Sequence, residues 1–305
     1  MRYIKRRYGG PTVWCSVDYA AVELSTLAQV LLWVVGESEL ARAINADMDP
    51  HSLLGALLVN TTYEDFLAKI KAEDISTGEK RTAAKAANFG FPGGMGAAKF
   101  TLAKRKEGLF VCKLMGREEE PCGTHRITEW KGRDCQPSCI QCVHASDELR
   151  RFYFARWKEM VAYHEWVNSC LMTDDHLEQF ISKRVRGGLT FTAGANTLFQ
   201  GLAADGAKRA LRAVTRECYL AKSSPLFGCR LVVFSHDEFI VEMPEAQAHE
   251  AAFRLAHLMV EKMREVVPDV KVKAEPALMR RWYKNAKAVY DGEGRLIPWE
   301  PDSSQ

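Results

Sequence analysis

Residues Val13–Leu24 read VWCSVDYAAVEL and residues Leu231–Met243 read LVVFSHDEFIVEM. Each is a short run rich in β-branched and aromatic residues that breaks off at an aspartate, Asp18 in the first and Asp237 in the second. Runs of that composition and length form strands, so both carboxylates are expected where a strand ends. After Asp18 the string VELSTLAQVLLWVVG is apolar enough for a largely buried helix. Around Asp237, RLVVFS and FIVEM read as two strands of a hairpin whose tip presents His236, Asp237 and Glu238. A lone aspartate closing a strand is ordinarily a turn former or a helix cap. Two of them, with Glu238 beside one, can instead converge and bridge two divalent cations roughly 3.5–4 Å apart, the spacing that in-line phosphoryl transfer uses.

Between the two aspartates lies the alanine-rich string EKRTAAKAANF, Glu79 to Phe89, of high helix propensity. Arg81, Lys85 and Phe89 recur at intervals of four and share one side of that helix. A solvated face with one apolar anchor would look the same. The glycines and proline of GFPGGMG, which stop the helix and permit close backbone approach, favour a binding face. A triphosphate needs fixed positive charge, and a base needs a flat apolar surface to stack upon. Asp49-Pro50-His51 opens another helix, with Asp49 as N-cap, Pro50 at the first helical position and His51 in the first turn, where a donor can meet an anion. Asn196 to Ala221 reads as a long helix with Asn196 and Gln200 one turn apart, Glu245 to Val267 as an amphipathic helix, and VKVKAEP, Val270 to Pro276, as a final strand.

The nine cysteines are unevenly placed. Cys112, Cys122, Cys135, Cys139 and Cys142 crowd a polar segment from Gly108 to Ala145, which reads as an irregular insertion. Cys139 and Cys142 form CxxC, and Cys122 begins CGTH. Four thiolates, or three with His125, satisfy tetrahedral zinc, and a polar segment this long has little else to fold around. The preferred ligands of a structural zinc are Cys112, Cys122, Cys139 and Cys142, although spacing alone leaves open which cysteine is spare. The remaining cysteines lie among apolar neighbours, as reduced thiols do.

A chain of 305 residues with 47% hydrophobic content can bury a proper core, which excludes disorder. Its formal charge of +3 is too small to drive polyanion binding unless the cations cluster. No apolar run reaches membrane-spanning length, and the basic start MRYIKRRYGG has no signal core behind it. The expectation is a cytoplasmic protein, phage or bacterial, with no membrane partner.

Three ordered motifs resemble those of family A DNA polymerases, the DNA polymerase I group, and more closely their phage-encoded members. DYAAVEL resembles the first motif, KRTAAKAANFGFPGGMG the second and SHDEF the third, with NTLFQGLAADGAKRA matching a further stretch. The resemblance implies an α+β chain made of palm and fingers: a palm of antiparallel sheet with packed helices, and mostly helical fingers carrying the Cys-rich insertion. Residues 1–46 would be the first palm segment, 47–180 the fingers with the insertion at about 108–145, and 181–305 the second palm segment. It implies a DNA-directed DNA polymerase, with primer-template DNA and deoxynucleoside triphosphates as partners and two magnesium ions, or manganese, as cofactors. Asp18 and Asp237 would be the catalytic metal ligands, the Tyr19 carbonyl would assist one ion, and Glu238 would be an accessory carboxylate. Glu23 would close the sugar pocket against a 2′-hydroxyl. His51, Arg81 and Lys85 would hold the triphosphate, and Phe89 would pack on the nucleotide. Asn196 and Gln200 would follow the primer-template minor groove, and His236 would lie near the primer end.

The sequence departs from the family at three positions. Gly93 stands where most cellular members have a tyrosine beneath the template base, Ser25 where an arginine is usual, and Thr192 where another DNA-contacting arginine is common; Arg184 and Arg186 are candidates to compensate. About a dozen residues precede the first strand, so thumb and exonuclease are expected to be absent and to come from a separate polypeptide or the rest of a longer chain. The alternative is a noncatalytic nucleic-acid or partner-binding remnant of a polymerase.

Overall fold

A computed structural model describes residues 10–117, 122 and 126–301. His125, the alternative zinc ligand, lies outside the described residues. The chain divides into two compact units, residues 1–26 with 199–305, and residues 27–198.

The first unit is built on a six-stranded sheet. Strand β1 (Thr12–Tyr19) sits inside it, between β7 (Glu238–Pro244) and β8 (Ala274–Met279), and the spatial order is β6-β7-β1-β8-β10-β9. Here β6 is Arg230–Ser235, β9 is Val289–Tyr290 and β10 is Leu296–Trp299. Burial alternates along β1 with period two: Val13, Cys15, Val17 and Tyr19 are buried, whereas Trp14, Ser16 and Asp18 face the other way. Helix α11 (Ala248–Arg264) covers the buried face, and Tyr19 Oη donates to the Met259 carbonyl at 2.9 Å. Helix α10 (Phe191–Tyr219) packs onto α11 at Gly206, where a Cβ would stand 2.2 Å from Met263 Sδ.

Two expectations need correction here. The sheet is not wholly antiparallel, because β10 pairs with β8 in parallel. The final strand is not VKVKAEP either. Val270 and Val272 are buried outside any ladder, and pairing starts at Ala274, the register partner of Tyr19.

The second unit is mostly helical. Helix α1 (Val22–Val35) runs across the first division between units. It is followed by α2 (Glu39–Asn45), α3 (Pro50–Leu58), α4 (Tyr63–Lys71) and α5 (Ile75–Gly90). Asp49, Thr62 and Asp74 cap α3, α4 and α5 by accepting backbone N–H bonds, each cap stabilising its helix by about 1 kcal/mol. Then come α6 (Ala97–Lys106), α7 (Val111–Leu114), α8 (Ile140–Arg156) and α9 (Glu159–Thr173). Phe91, Phe100, Tyr153 and Trp157 form the aromatic core among them, with Phe91 stacked on Phe100 at 4.4 Å between ring centroids. Two short hairpins complete the unit, β2 (Arg126–Trp130) with β3 (Arg133–Cys139), and β4 (His176–Glu178) with β5 (Val185–Gly187).

Among the described residues the Cys-rich segment is not irregular. It contains α7 and the β2–β3 hairpin, and α8 already begins at Ile140, so Cys142 is helical. No helix among the described residues is long and apolar enough to cross a membrane.

Candidate active site

In the first unit the period of β1 and the register of β7 bring three acidic groups to the open face of the sheet. Asp18 pairs with Glu238 across the β1–β7 ladder, and Asp237 occupies the two-residue turn between Ser235 and Glu238. His236 begins that turn with φ 56°, a left-handed conformation that costs a residue with a Cβ roughly 1–2 kcal/mol. The cost is carried at the tip that presents Asp237, where functional sites commonly store strain.

Asp18 and Asp237 lie within hydrogen-bonding reach of one another. Burial, then the negative charges of Asp237 and Glu238, push the Asp18 carboxyl up to about 6. Glu238 accepts a short hydrogen bond from Ser16 Oγ, which fixes its side chain on the same face. Glu23, in the first turn of α1, is also raised, by burial and then by Asp237, with His236 acting in the opposite sense. Asp18, Asp237 and Glu238 border a 730 Å³ cleft that Trp14, His236, Trp282 and Lys284 also line. Trp282 and Lys284 were missed in the sequence; the alternation of cations and aromatics in RRWYK, Arg280 to Lys284, was the signal. A donor set of carboxylate oxygens that repel one another fits a hard divalent cation such as magnesium or manganese. Ser25, at 3% exposure, donates to the Lys271 carbonyl at 3.0 Å, so an arginine at that position has no room.

In the second unit the structure brings His51, Arg81, Lys85 and Phe89 together. Lys85 and Phe89 are exposed on α5 between buried alanines, and Arg81, one turn earlier, is half-buried. Arg81 is forked onto Asp49, with Nε and Nη2 each 2.9 Å from Oδ2. Burial raises the Asp49 carboxyl, but the Ser52 hydrogen bond, the charge of Arg81 and the His51 backbone N–H more than offset this and leave it below the ordinary value. His51 is 6% exposed, and its ring centroid lies 5.5 Å from that of Phe89. Burial pushes its pKa down to about 4; Asp49 opposes the shift, and Arg81 and Lys85 add to it, so the ring is neutral at pH 7. Asn88 Nδ2 lies 3.0 Å from His51 Nδ1, and Trp157 Nε1 donates to Asn88 Oδ1 at 3.0 Å. The amide therefore donates to Nδ1 and leaves the His51 proton on Nε2. Asn88 had no sequence signal, because its role depends on α3 packing against α5.

The remaining candidates are more dispersed. Asn196 donates to the Thr192 carbonyl and fills the space over Gly93, where a Cβ would come within 2.2 Å of its amide. A side chain at position 93 is thus excluded while Asn196 keeps this place. Gln200 is exposed one turn further along α10. Arg184 and Arg186 are exposed on or beside β5, and Arg186 donates to Thr197 Oγ1 at 2.9 Å.

The four preferred cysteines meet. Cys142 Sγ lies 3.2 Å from Cys112 Sγ and 3.3 Å from Cys122 Sγ, with Cys122 and Cys139 at 3.8 Å and all four sulfurs within 4.8 Å. A zinc tetrahedron with bonds of about 2.3 Å has sulfur–sulfur edges of about 3.8 Å, so the four positions fit that ion. Arg105 Nη2 stands 3.1 Å from Cys122 Sγ, a cation placed to offset thiolate charge. Cys135 is outside this group.

No family model and no curated protein sequence matches the chain. Among solved structures it is similar to the POL domain of Pol1 from M. smegmatis, in a complex with DNA primer-template and dNTP. The TM-score is 0.60 at 20% sequence identity, over 88% of this chain and 40% of that one. The chain thus spans less than half the length of that neighbour, and over most of its own length it has the fold of a DNA polymerase domain.

Proposed function

We propose that the chain is the catalytic portion of a family A, phage-type DNA polymerase, adding deoxynucleoside monophosphates to a primer 3′-hydroxyl as a template directs. The meeting of Asp18 with Asp237 on the open face of the sheet carries this reading, in a chain with a polymerase-domain fold. Asp18 and Asp237 would hold two magnesium or manganese ions, with the Tyr19 carbonyl and Glu238 assisting. Such ions, when bound, lower the pKa of the attacking hydroxyl and neutralise charge on the leaving phosphates. Ser16 keeps Glu238 from turning away. Arg81 and Lys85 meet the triphosphate, and neutral His51 donates from Nε2 to a phosphate oxygen, held in that tautomer by Asn88. Phe89 supplies the stacking surface. Asn196, Gln200, Arg184 and Arg186 contact DNA, and His236 stands at the primer end. The 40% coverage of the neighbour motivates a further element: the grip on duplex comes from polypeptide beyond the matched part, a separate thumb and exonuclease chain included. We propose also that Cys112, Cys122, Cys139 and Cys142 hold a structural zinc.

Primer extension tests the reading. The full chain, with its thumb partner where one is needed, is expected to add the deoxynucleotide that the template specifies. Glu23→Ala is expected to admit ribonucleotides about 10–100-fold more readily, because the pocket loses the group that leaves a 2′-hydroxyl without space or partner. Extension that ignores the template, or Glu23→Ala with unchanged sugar preference, would contradict it.

The raised pKa of Asp18 sets a pH dependence. Its folded value lies above the ordinary 3.8, so between those values the folded state holds the proton more tightly than the unfolded state does. Without divalent cation, stability therefore falls as pH rises from about 4 through about 6. Asp18 would bind a divalent cation only as the carboxylate, after this proton has left. Magnesium is expected to raise the Tm at pH 7.5 and to lose that effect as pH drops below about 6, which a thermal-shift series checks. A magnesium response equally strong at pH 5 would contradict the acidic pair as the cation site.

A further inference from the structure

The β2–β3 hairpin and helix α6 border an 860 Å³ groove on the second unit, away from the His51–Phe89 stripe in sequence and lining residues. Ala98, Leu102 and Ala103 of α6 contribute apolar surface to it, and Trp130 lines it from the hairpin. Lys99, Lys106, Lys131, Arg133 and Arg150 also line it, against only two carboxylates, Asp134 and Asp147. Lys131 spans both functions, with Nζ 3.0 Å from Asp147 and 5.6 Å from the Trp130 ring centroid. Helix α6 opens at Gly96 with no side chain capping its first N–H groups, and it opens into this groove. Arg150 lines a second cleft of 630 Å³ as well, with Arg151, Phe154, His164 and Phe191, and its guanidinium stands 4.7 Å from the Phe154 ring centroid. The two clefts therefore share a wall residue, and cations with aromatics continue from one to the other.

The geometry points to a binding track for single-stranded DNA, the unpaired template strand. Backbone phosphates would lie along Lys99, Lys106 and Arg133, and a base would stack on Trp130. A cationic groove with interleaved aromatics suits an unpaired strand, whose bases expose their faces; a duplex keeps them stacked inside. An acidic peptide would use the cations but leave Trp130 without a planar partner to stack on it. The hairpin wall is pinned at its base, since Cys139 ends β3 inside the thiol group and Thr101 of α6 donates to the Cys142 carbonyl at 3.1 Å. The inference deepens the polymerase reading and names what this insertion contributes to it.

Fluorescence anisotropy of a labelled oligothymidylate with the full chain tests the track. Lys99→Glu/Lys106→Glu/Arg133→Glu is expected to weaken binding by more than tenfold and to flatten the salt dependence by about two units of log–log slope, three phosphate contacts being lost. Trp130→Ala is expected to weaken it about 5–100-fold with little change in that slope, the signature of a lost stack. Lys99, Lys106 and Arg133 are exposed, so the Tm of the triple variant should match the parent's. Unchanged affinity in both variants, or displacement by polyglutamate as effective as by unlabelled oligothymidylate, would overturn the track. Asp237→Asn separates this from the catalytic reading. It should bind the oligonucleotide like the parent, so loss of extension with intact binding leaves the track standing, whereas intact extension with indifferent groove variants removes it alone.

Discussion

Asp237→Asn is expected to abolish primer extension, by about 10³-fold or more, while making the cation-free protein more resistant to heat. The two effects have one cause. Asp18 and Asp237 are held within hydrogen-bonding reach on a partly buried face, and the charge of Asp237 is the second-largest reason, after burial, that the Asp18 carboxyl is raised to about 6. An amide at position 237 removes that repulsion, so Asp18 ionises more easily and the fold no longer confines two like charges. The same change takes away one of two charged oxygen ligands. Mutating a residue that merely orients a metal ligand typically costs 10–100-fold, so loss of a ligand itself should exceed that range. Thermal melts in chelator should show the higher Tm, and the magnesium-induced rise at pH 7.5 should shrink or vanish. The combination separates catalysis from a binding remnant. A remnant would show the stabilisation with no loss of function, because nothing it does would need the repulsive pair. A variant that melts lower than the parent in chelator would show that Asp237 is a structural turn residue and sink the two-cation reading.

Much of the placement of these candidate residues was legible, because it rides on short-range pattern. Alternation along Val13 to Tyr19 sends Asp18 to the open side of the sheet, and the SHDEF turn sits between two apolar runs too short to be anything but strands. The Asp49 cap and the Lys85–Phe89 face follow from rules that span one helical turn. What stayed hidden depends on packing between distant segments. Ser16 meets Glu238 across 222 residues through a sheet register, and Asn88 reaches His51 across 37 through the approach of α3 to α5. Neither pair leaves a trace in spacing. The β2–β3 hairpin escaped for another reason. RITEW and RDCQPSC are polar and mostly exposed, and β3 carries Pro137, which breaks the alternation that marks a strand. Its strands are specified by what holds their ends, not by a hydrophobic face.

That weakness makes the hairpin the most sensitive reporter of the thiol group. A two-stranded hairpin with most side chains in solvent is marginal at best on its own, so β2 and β3 need an anchor. Cys139 closes β3, Cys142 lies in the first turn of α8, Cys112 is in α7, and their sulfurs converge with that of Cys122. Burial raises the thiols of Cys112 and Cys122, so as thiolates they need a cation beside them. Structural zinc in small peptides contributes roughly 10–16 kcal/mol of apparent binding free energy, more than enough to fix a hairpin of this size. One zinc per chain is expected by metal analysis after mild purification. Cys142→Ser is expected to lose it and to raise amide exchange across 126–142 by at least about a hundredfold, while α3 and α5 stay protected. Cys135→Ser is the matched control: Cys135 lies on the same hairpin but outside the sulfur group, so its zinc content and exchange should equal the parent's. Zinc lost equally from both variants would show that the segment as a whole, not these four sulfurs, holds the ion. A parent chain that carries no zinc yet keeps 126–142 protected would show that packing of β3 and α8 against α6 suffices without a metal.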